Sequence, residues 1–457
     1  MKRCLMLALF ATLGGCLSHA PPPAADVPVP STYRYASGSS NGDPVTACWW
    51  HGFGSDELDR FIAQAQSGNY DIAAALARVK QARATAKIAG APLLPNVSGF
   101  ADASRQGGFM VNDTLPSGSA FDIGLLASYE IDFWGKNRAT SDAAIARVRA
   151  SEFDRVTVQL TLTADVANAW LQTVALRERE AIATRNLDTA RSILRNVESQ
   201  FRAGFVTALD VAQQRTLVAS QLRAVAALHQ QGNDSEASLA TLLGIPSSEF
   251  TVSTRSLDAL HAPAVDAGLP SSLLTRRPDV AYSEAQLAAA HADVYAARAA
   301  MFPTVTLTAS VGTGGDRIQR LFENPLYTVA AGLTAPIFNA GALAAGHDLA
   351  LAQQEELLAA YRQAIVAAFA DVDRTLNARA GADEQTRAQD DELREARHTL
   401  ELAQSRYRAG AETALTVLDA QRTLYAAEDE RVQLHLARLQ TAVSTYRALG
   451  GGWGATP

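Results

Sequence analysis

The chain has 457 residues, 48% of them hydrophobic, and a formal net charge of −7 at pH 7. Its mild acidity argues against nucleic acid as a partner. Outside the N-terminal segment no apolar run reaches the about 18 residues of a membrane-spanning helix. Three cysteines, eight scattered histidines and four methionines offer no disulfide framework, no zinc motif of the His-Glu-x-x-His kind and no methionine-rich copper path. With no phosphate-binding loop either, the composition points away from an enzyme.

The N-terminus reads as a targeting segment. Lys2 and Arg3 precede an apolar stretch from Leu5 to Leu13, followed by Gly14, Gly15 and Cys16. Small residues before a cysteine resemble the bacterial lipobox. Residues 1–15 are then a signal peptide, and Cys16 carries the lipid as the first mature residue. A simple cleaved signal with a chance cysteine is the other reading. Leu17 stands where an Asp would resemble the inner-membrane retention signal, so it leans toward the outer membrane. Cys4 leaves with the signal, which makes Cys48 the sole free thiol, read as a small packed hydrophobe beside Trp49 and Trp50. Residues 16–54, rich in Pro, Ser and Gly, read as a tether.

Helical sequence runs from about Ser55 to Gly90, with a break at Ser67–Gly68 and a stop at Pro92 and Pro95. The period then changes to two. Phe121, Ile123, Leu125, Ala127, Tyr129, Ile131 and Phe133 share one strand face, and Asp122, Ser128, Glu130 and Asp132 share the other. Val97 to Arg105 supplies a less clean partner. In the second half Val305, Leu307, Ala309 and Val311 alternate with Thr306, Thr308 and Ser310, followed by Tyr327, Val329, Ala331, Leu333, Ala335 and Ile337. The intervening Gly-rich stretches, including Gly312 to Gly315, read as loop tips. Each half thus holds one hairpin, about 96–133 and 303–338. Strands of about ten residues suit a bilayer, yet four cannot close a barrel and open edges are not tolerated in lipid. The pattern therefore calls for oligomerisation. Two copies would supply eight strands and three would supply twelve, and the pattern does not choose. A small soluble antiparallel sheet is the plainer alternative.

Proline-free helical tracts follow, from about Asn137 to Arg202 and from Ala342 to Arg408, each about 100 Å long at about 1.5 Å per residue. Leu187, Ala190, Leu194, Val197 and Phe201 form a 3-4 seam, and Leu393, Ala396, Leu400, Ala403 and Tyr407 repeat it in the second half at one constant offset. Both seams run into a glycine and then a threonine, Gly204 with Thr207 and Gly410 with Thr413, a helix stop and a new N-cap. Returning helices reach Leu243 and Leu449. The domain plan is a first repeat over 55–250, a linker over 251–275, a second repeat over 276–449 and a tail over 450–457. Two long helical hairpins make a tube wall or a strut.

Several local signatures now fall in order: Trp49, Trp50 and Phe53; Arg276, Arg277, Pro278 and Asp279; Phe302–Pro303 opening a strand; Pro336, Ile337 and Phe338 closing one; Tyr407 to Gly410; Leu418 to Arg422; and Leu449 to Trp453. Their order and spacing resemble the outer membrane efflux proteins of the TolC type, in the NodT-like lipoprotein branch, over essentially the whole mature chain. The resemblance implies a mainly α protein with a membrane β-barrel. A homotrimer would close a 12-stranded barrel, four strands per chain, in outer membrane lipid. That barrel would be continuous with a periplasmic α-helical barrel, closed at its tip and opened by a hexameric periplasmic adaptor and an inner-membrane RND pump. No cofactor is implied beyond the lipid on Cys16. The implied function is a passive, gated exit for drugs or other small solutes. Exit ducts for type I secretion or metal efflux share the fold, and a structural envelope lipoprotein is the rival outside it.

Carried across by the same resemblance, Asp210 matches a gate aspartate, Asp419 a ring aspartate and Tyr407 a tyrosine of the link between hairpins. Thr416 and Glu412 depart from the family pattern, standing where some relatives have Asp and Arg. Arg202, Gly204, Arg408 and Gly410 form tip turns that would meet the adaptor. Asp210 and Asp419 also suit a plain role at helix N-termini, and Leu209 and Leu415 could supply an apolar gate. Arg276 to Asp279 reads as a structural entry to a helix.

Overall fold

The computed structural model describes residues 24–35, 48–107, 109–110, 113–114, 118–263 and 267–451. Cys16 and Trp453 lie outside the described residues. The chain forms two compact units, one comprising Met1–Asp26, Ala77–Phe153 and Ala281–Ala364, the other Val27–Leu76, Asp154–Val280 and Ile365–Pro457.

The elements run α1 (Asp56–Gly68), α2 (Tyr70–Gly90), β1 (Asn96–Gln106), β2 (Gly118–Ile131), α3 (Lys136–Arg202), α4 (Ala208–Leu243), α5 (Pro270–Arg276), α6 (Pro278–Ala299), β3 (Thr304–Gly315), β4 (Pro325–Thr334), α7 (Ala342–Arg408) and α8 (Ala414–Ala448). Short pieces, among them a two-residue ladder at Phe109–Met110 and Asp113–Thr114, fill the connections. The long helices α3 and α7 are each 67 residues. Their first and last residues keep the offset that separates the two seams, so the duplication holds at the level of helix ends.

In the first unit the two hairpins join into one antiparallel sheet, in the order β1-β2-β3-β4. The joint is the β2–β3 ladder, where Leu125 faces Val311, Ala127 faces Ala309 and Tyr129 faces Leu307. The β1 and β4 ladders continue the same rows, with Val97 opposite Ala127 and Val329 opposite Ala309. The period of two therefore collects the alternating apolar sets on one face, with Ser98, Asp102, Asp122, Ser128, Thr306 and Thr308 on the other, together with Phe100, Leu126 and Leu326. Gly312, Gly314 and Gly315 lie inside β3 and not at a loop tip. Gly312, like Gly124 opposite it, is needed there because a Cβ at Gly124 or Gly312 would fall 2.6 Å and 2.8 Å from the facing carbonyl oxygen.

The second unit has an aliphatic and aromatic core around Trp170, Leu171, Leu239, Leu243, Leu439 and Val443. The α1 helix starts at Ser55, whose Oγ accepts from Leu58 N, and buries Leu58, Ile62 and Ala65 along one stripe. Beside them Glu57 is a buried carboxylate. It accepts from the backbone and hydroxyl of both Ser253 and Thr254, at 2.6 to 3.1 Å, and from Trp170 Nε1 at 3.0 Å. Burial opposes its ionisation, but these hydrogen bonds outweigh it and hold the pKa down to about 2.

Three sequence expectations need correction here. The tether does not extend to residue 54: Trp49 and Phe53 are buried, Trp49 stacking on Tyr446 at 5.0 Å. Tyr33 is buried as well, and Arg34 N donates to Asp373. The linker is packed too, with Val252 and Leu257 in the core and α5 in its last third. Cys48 is exposed, because the 3-10 turn that begins at Trp49 gives the buried positions to Trp49 and Phe53. At the start of α6, Arg277 bonds Asp279 at 2.6 and 2.9 Å and reaches Asp371 of α7 at 3.2 Å, a fastening of the second repeat.

Candidate functional site at the hairpin tips

Each helical hairpin turns in the same way. Gly204 N donates to Phe201 O and Phe205 N to Gln200 O, with Gly204 at φ +80°. Gly410 N donates to Tyr407 O and Ala411 N to Arg406 O, with Gly410 at φ +73°. These paired bonds are Schellman closures, which satisfy the last carbonyls and require a left-handed residue. Arg202 and Arg408 are the last residues of α3 and α7, and both are exposed.

The new helices start differently in the two repeats. Thr207 and Asp210 make a reciprocal capping box. Thr207 Oγ1 accepts from Asp210 N at 3.3 Å, and Asp210 Oδ2 accepts from Thr207 N and Oγ1 at 2.7 Å each. In the second repeat Thr416 occupies the place of Asp210, and Thr413 Oγ1 accepts from its N at 3.4 Å. The carboxylate comes instead from Glu412, which accepts from Thr413 N at 3.3 Å and Thr416 Oγ1 at 3.0 Å, with Arg406 3.5 Å away. Those hydrogen bonds, and then the Arg406 charge, hold the Glu412 carboxyl below its ordinary range. In the sequence Glu412 shows only as a departure from a pattern; its geometry moves the capping carboxylate to the N-terminal side of the threonine.

A hydrogen bond joins the two tips. Tyr407 Oη, on the second hairpin, donates to Gln200 Oε1 on the first at 2.6 Å. Burial, then the negative charge of Asp210, raise the Tyr407 pKa, while the Gln200 bond lowers it. The helices α3, α4, α7 and α8 together line a small crevice whose walls include Val197, Asp210, Gln214, Tyr407, Val417 and Leu418. Next to it Leu400, Ala403, Val417 and Ala420 form an apolar cluster on which Tyr407 packs, and farther along Arg179 makes a two-point pair with Asp429 at 2.7 and 2.9 Å.

The structure thus brings Tyr407 and Asp210 together and adds Gln200, which sequence reasoning missed. Only its position beside the seam could have suggested it. Asp419 stands apart, exposed on α8 with Arg422 3.8 Å away. Around the turns Phe201, Phe205, Leu209 and Leu415 are exposed apolar side chains. Among the described residues no cluster of His, Cys, Asp or Glu could hold a metal ion, and no helix is long and apolar enough to cross a membrane. The apolar face of the sheet is a different matter, since Val97, Leu125, Leu307, Val311, Tyr327, Val329 and Leu333 all stand exposed on a single chain.

Comparison with known proteins matches these features. The family described as outer membrane efflux protein matches residues 61–245 and again 269–451, once over each repeat. The chain is 49% identical over 462 residues to the pyoverdine export outer membrane protein OpmQ of Pseudomonas aeruginosa, covering 99% of this chain and 97% of that protein. It is 36% identical over 416 residues to the solvent efflux pump outer membrane protein SrpC of Pseudomonas putida, covering 88% and 86%. Among solved structures the outer-membrane channel OprN superposes with a TM-score of 0.89 at 28% identity, over 95% of this chain and 99% of that one. The chain belongs to the outer membrane efflux protein family, and it is a passive channel of the outer membrane reaching into the periplasm, not an enzyme.

Proposed function

We propose that this protein is the exit duct of a tripartite efflux pump and works as a homotrimer. The observation that carries the reading is the four-stranded sheet, with one apolar face exposed and, among the described residues, both β1 and β4 unpaired along their outer edges. Lipid offers no hydrogen bonds to such edges, so the sheet is stable in a bilayer only when other copies close it into a barrel. Three copies give twelve strands, and their hairpins give the helical tube below. The periplasmic adaptor engages the exposed turns at Arg202, Gly204, Arg408 and Gly410 and links the duct to an inner-membrane pump of RND type. A lipid on Cys16 adds anchoring of about 0.8 kcal/mol per buried methylene.

The tips form the gate. The Tyr407–Gln200 bond holds the two hairpins of one copy together beside Asp210. Under a three-fold axis Asp210, Asp419 and Thr416 each recur three times around the opening, and the aspartates give a ring of negative potential that favours cations. The duct exerts little selection of its own, so cargo follows the pump; pyoverdine, named for OpmQ, is the first candidate to test. The test of the trimer is the mass of the protein in mild detergent, with its migration on a gel before and after heating. A heat-sensitive species of three chains supports the duct, and a folded monomer overturns it.

A further inference from the structure

Three glutamines are buried among the described residues, and two of them tie a hairpin together. Gln214 of α4 donates its Nε2 to Ala190 O of α3 at 3.1 Å, and Gln389 of α7 donates its own to Ala427 O of α8 at 3.0 Å. Each bond crosses between the two helices of one hairpin and fixes their register. Gln421 of α8 is different. Its exposure is 0%. Among the described residues its side chain makes one hydrogen bond, from Nε2 to Tyr425 Oη at 3.2 Å, four residues on in the same helix, and Oε1 has none. Turning the amide over would give Oε1 the Tyr425 proton and strand Nε2 instead, so one end is unpaired in either orientation.

The helix period says where Gln421 sits. Val417 and Ala420 pack on Leu400 and Ala403, so that face of α8 turns to α7 within the second hairpin. Leu418 and Tyr425 pack instead with Ala190 of α3 and Leu217 of α4. Gln421 stands three residues after Leu418 and four before Tyr425, between them on the face that meets the first hairpin. The joint between the hairpins is thus bonded at two levels, by Arg179 with Asp429 and, at the tips, by Tyr407 with Gln200. Between those levels lies an apolar patch with one half-paired amide in it. The patch is dry: burial pushes the Tyr425 hydroxyl up to about 12 despite the Gln421 bond.

An amide end buried without a partner raises the free energy of the state that buries it, and water pairs it as soon as the surfaces part. We infer that Gln421 is the release element of the gate: it weakens the closed joint between the two hairpins, so that opening gains the hydration of its amide. This role rests on the gated duct proposed above. It sets Gln421 against the Tyr407–Gln200 bond, which favours the closed state.

The test lies in the sign of the effect. Tyr425→Phe deletes the amide's one partner and leaves both its ends unpaired, so the open-to-closed ratio should rise about tenfold or more. Adding Gln421→Met removes the amide too and keeps an unbranched side chain of similar volume. The ratio should then fall about tenfold or more below that of the wild type. Packing alone predicts no such reversal, because the second substitution would only add to the damage of the first. The ratio is read as open probability of the full chain in a planar bilayer, with Tyr407→Phe as reference. A shift with Tyr407→Phe, together with no shift or shifts of one sign in the two Tyr425 variants, would overturn the role of Gln421 and leave the gate in place. No shift in any of the three would overturn the gate as well. Hydrogen exchange of the purified oligomer reads the joint without a current. Peptides spanning Leu418 to Tyr425 should exchange faster in Tyr425→Phe and slower in the double variant than in the wild type, with peptides at Leu239 to Leu243 unchanged. Equal exchange in the wild type and the double variant would overturn the role of Gln421 even where a variant forms no channels.

Discussion

Replacement of Tyr407 by phenylalanine removes one atom from the hydrogen bond that joins the two hairpin tips of a chain, the 2.6 Å contact with Gln200. The ring remains, so its packing on Leu400, Ala403, Val417 and Ala420 is kept. A hydrogen bond of this half-exposed kind contributes about 1 kcal/mol net. A trimer that opens in one concerted step breaks three of them, so Tyr407→Phe should favour the open state by about 3 kcal/mol, a factor of roughly 10² in the closed-to-open ratio. The assay is open probability of single channels in a planar bilayer. Gln200→Ala should produce a shift of the same size, and the double variant should add little, since both changes delete one interaction. A Tyr407→Phe channel with wild-type open probability would remove this bond from the gate. Additive effects of the two substitutions would show that each side chain acts through some other partner.

Further outcomes follow from the same geometry. Glu57→Gln should loosen the segment at Ser253 and Thr254 by about 1.5–3 kcal/mol at neutral pH, the range for losing a hydrogen bond to a charged group, and hydrogen exchange at those two amides measures it. Because the folded pKa is the lower one, that protection is complete above about pH 4.5 in the wild type and is lost as the pH falls toward 2; the variant should lack this acid response. Thr207→Ala should fray the first turn of α4 by about 1 kcal/mol, read as faster exchange there and not in the core. Val329→Lys, on the apolar face, should weaken assembly in lipid by about 2–4 kcal/mol if the position lies near the midplane, whereas Thr308→Lys on the opposite face should assemble and shift selectivity toward anions.

Much of the fold is legible in the sequence because two periods are hard to mistake. Alternation from Phe121 to Ile131 with mostly polar partners needs a strand, and the 3-4 seams from Leu187 and from Leu393 need long helices. Glycine followed by threonine places both tip turns, since a left-handed stop and a side-chain cap each have few substitutes. Pairing at a distance is what the sequence hides. The joining of the two hairpins through β2 and β3 involves residues far apart in the chain, and each strand alone looks like half of a separate hairpin. Gly312 to Gly315 resemble a loop because glycine marks turns, although here it admits a facing backbone. Gln200 carries no signal of its own; it becomes important only because Tyr407 reaches it from the other hairpin. Glu412 shows that a capping carboxylate can move to the other side of its threonine and keep its bonds, a replacement that residue-by-residue comparison reads as a loss. The tether and linker look longer in sequence than they are because Trp49, Phe53, Val252 and Leu257 fall in short segments with no sustained helix or strand period, and only the packed core shows what they bury.

Single-channel conductance of the purified protein is the decisive test of a duct gated at its tips. Wild type is compared with an Asp210→Ala, Asp419→Ala double variant in a planar bilayer. Small, cation-selective openings are expected for the wild type and larger, less selective ones for the variant. A folded oligomer that conducts in neither form would contradict the gated duct.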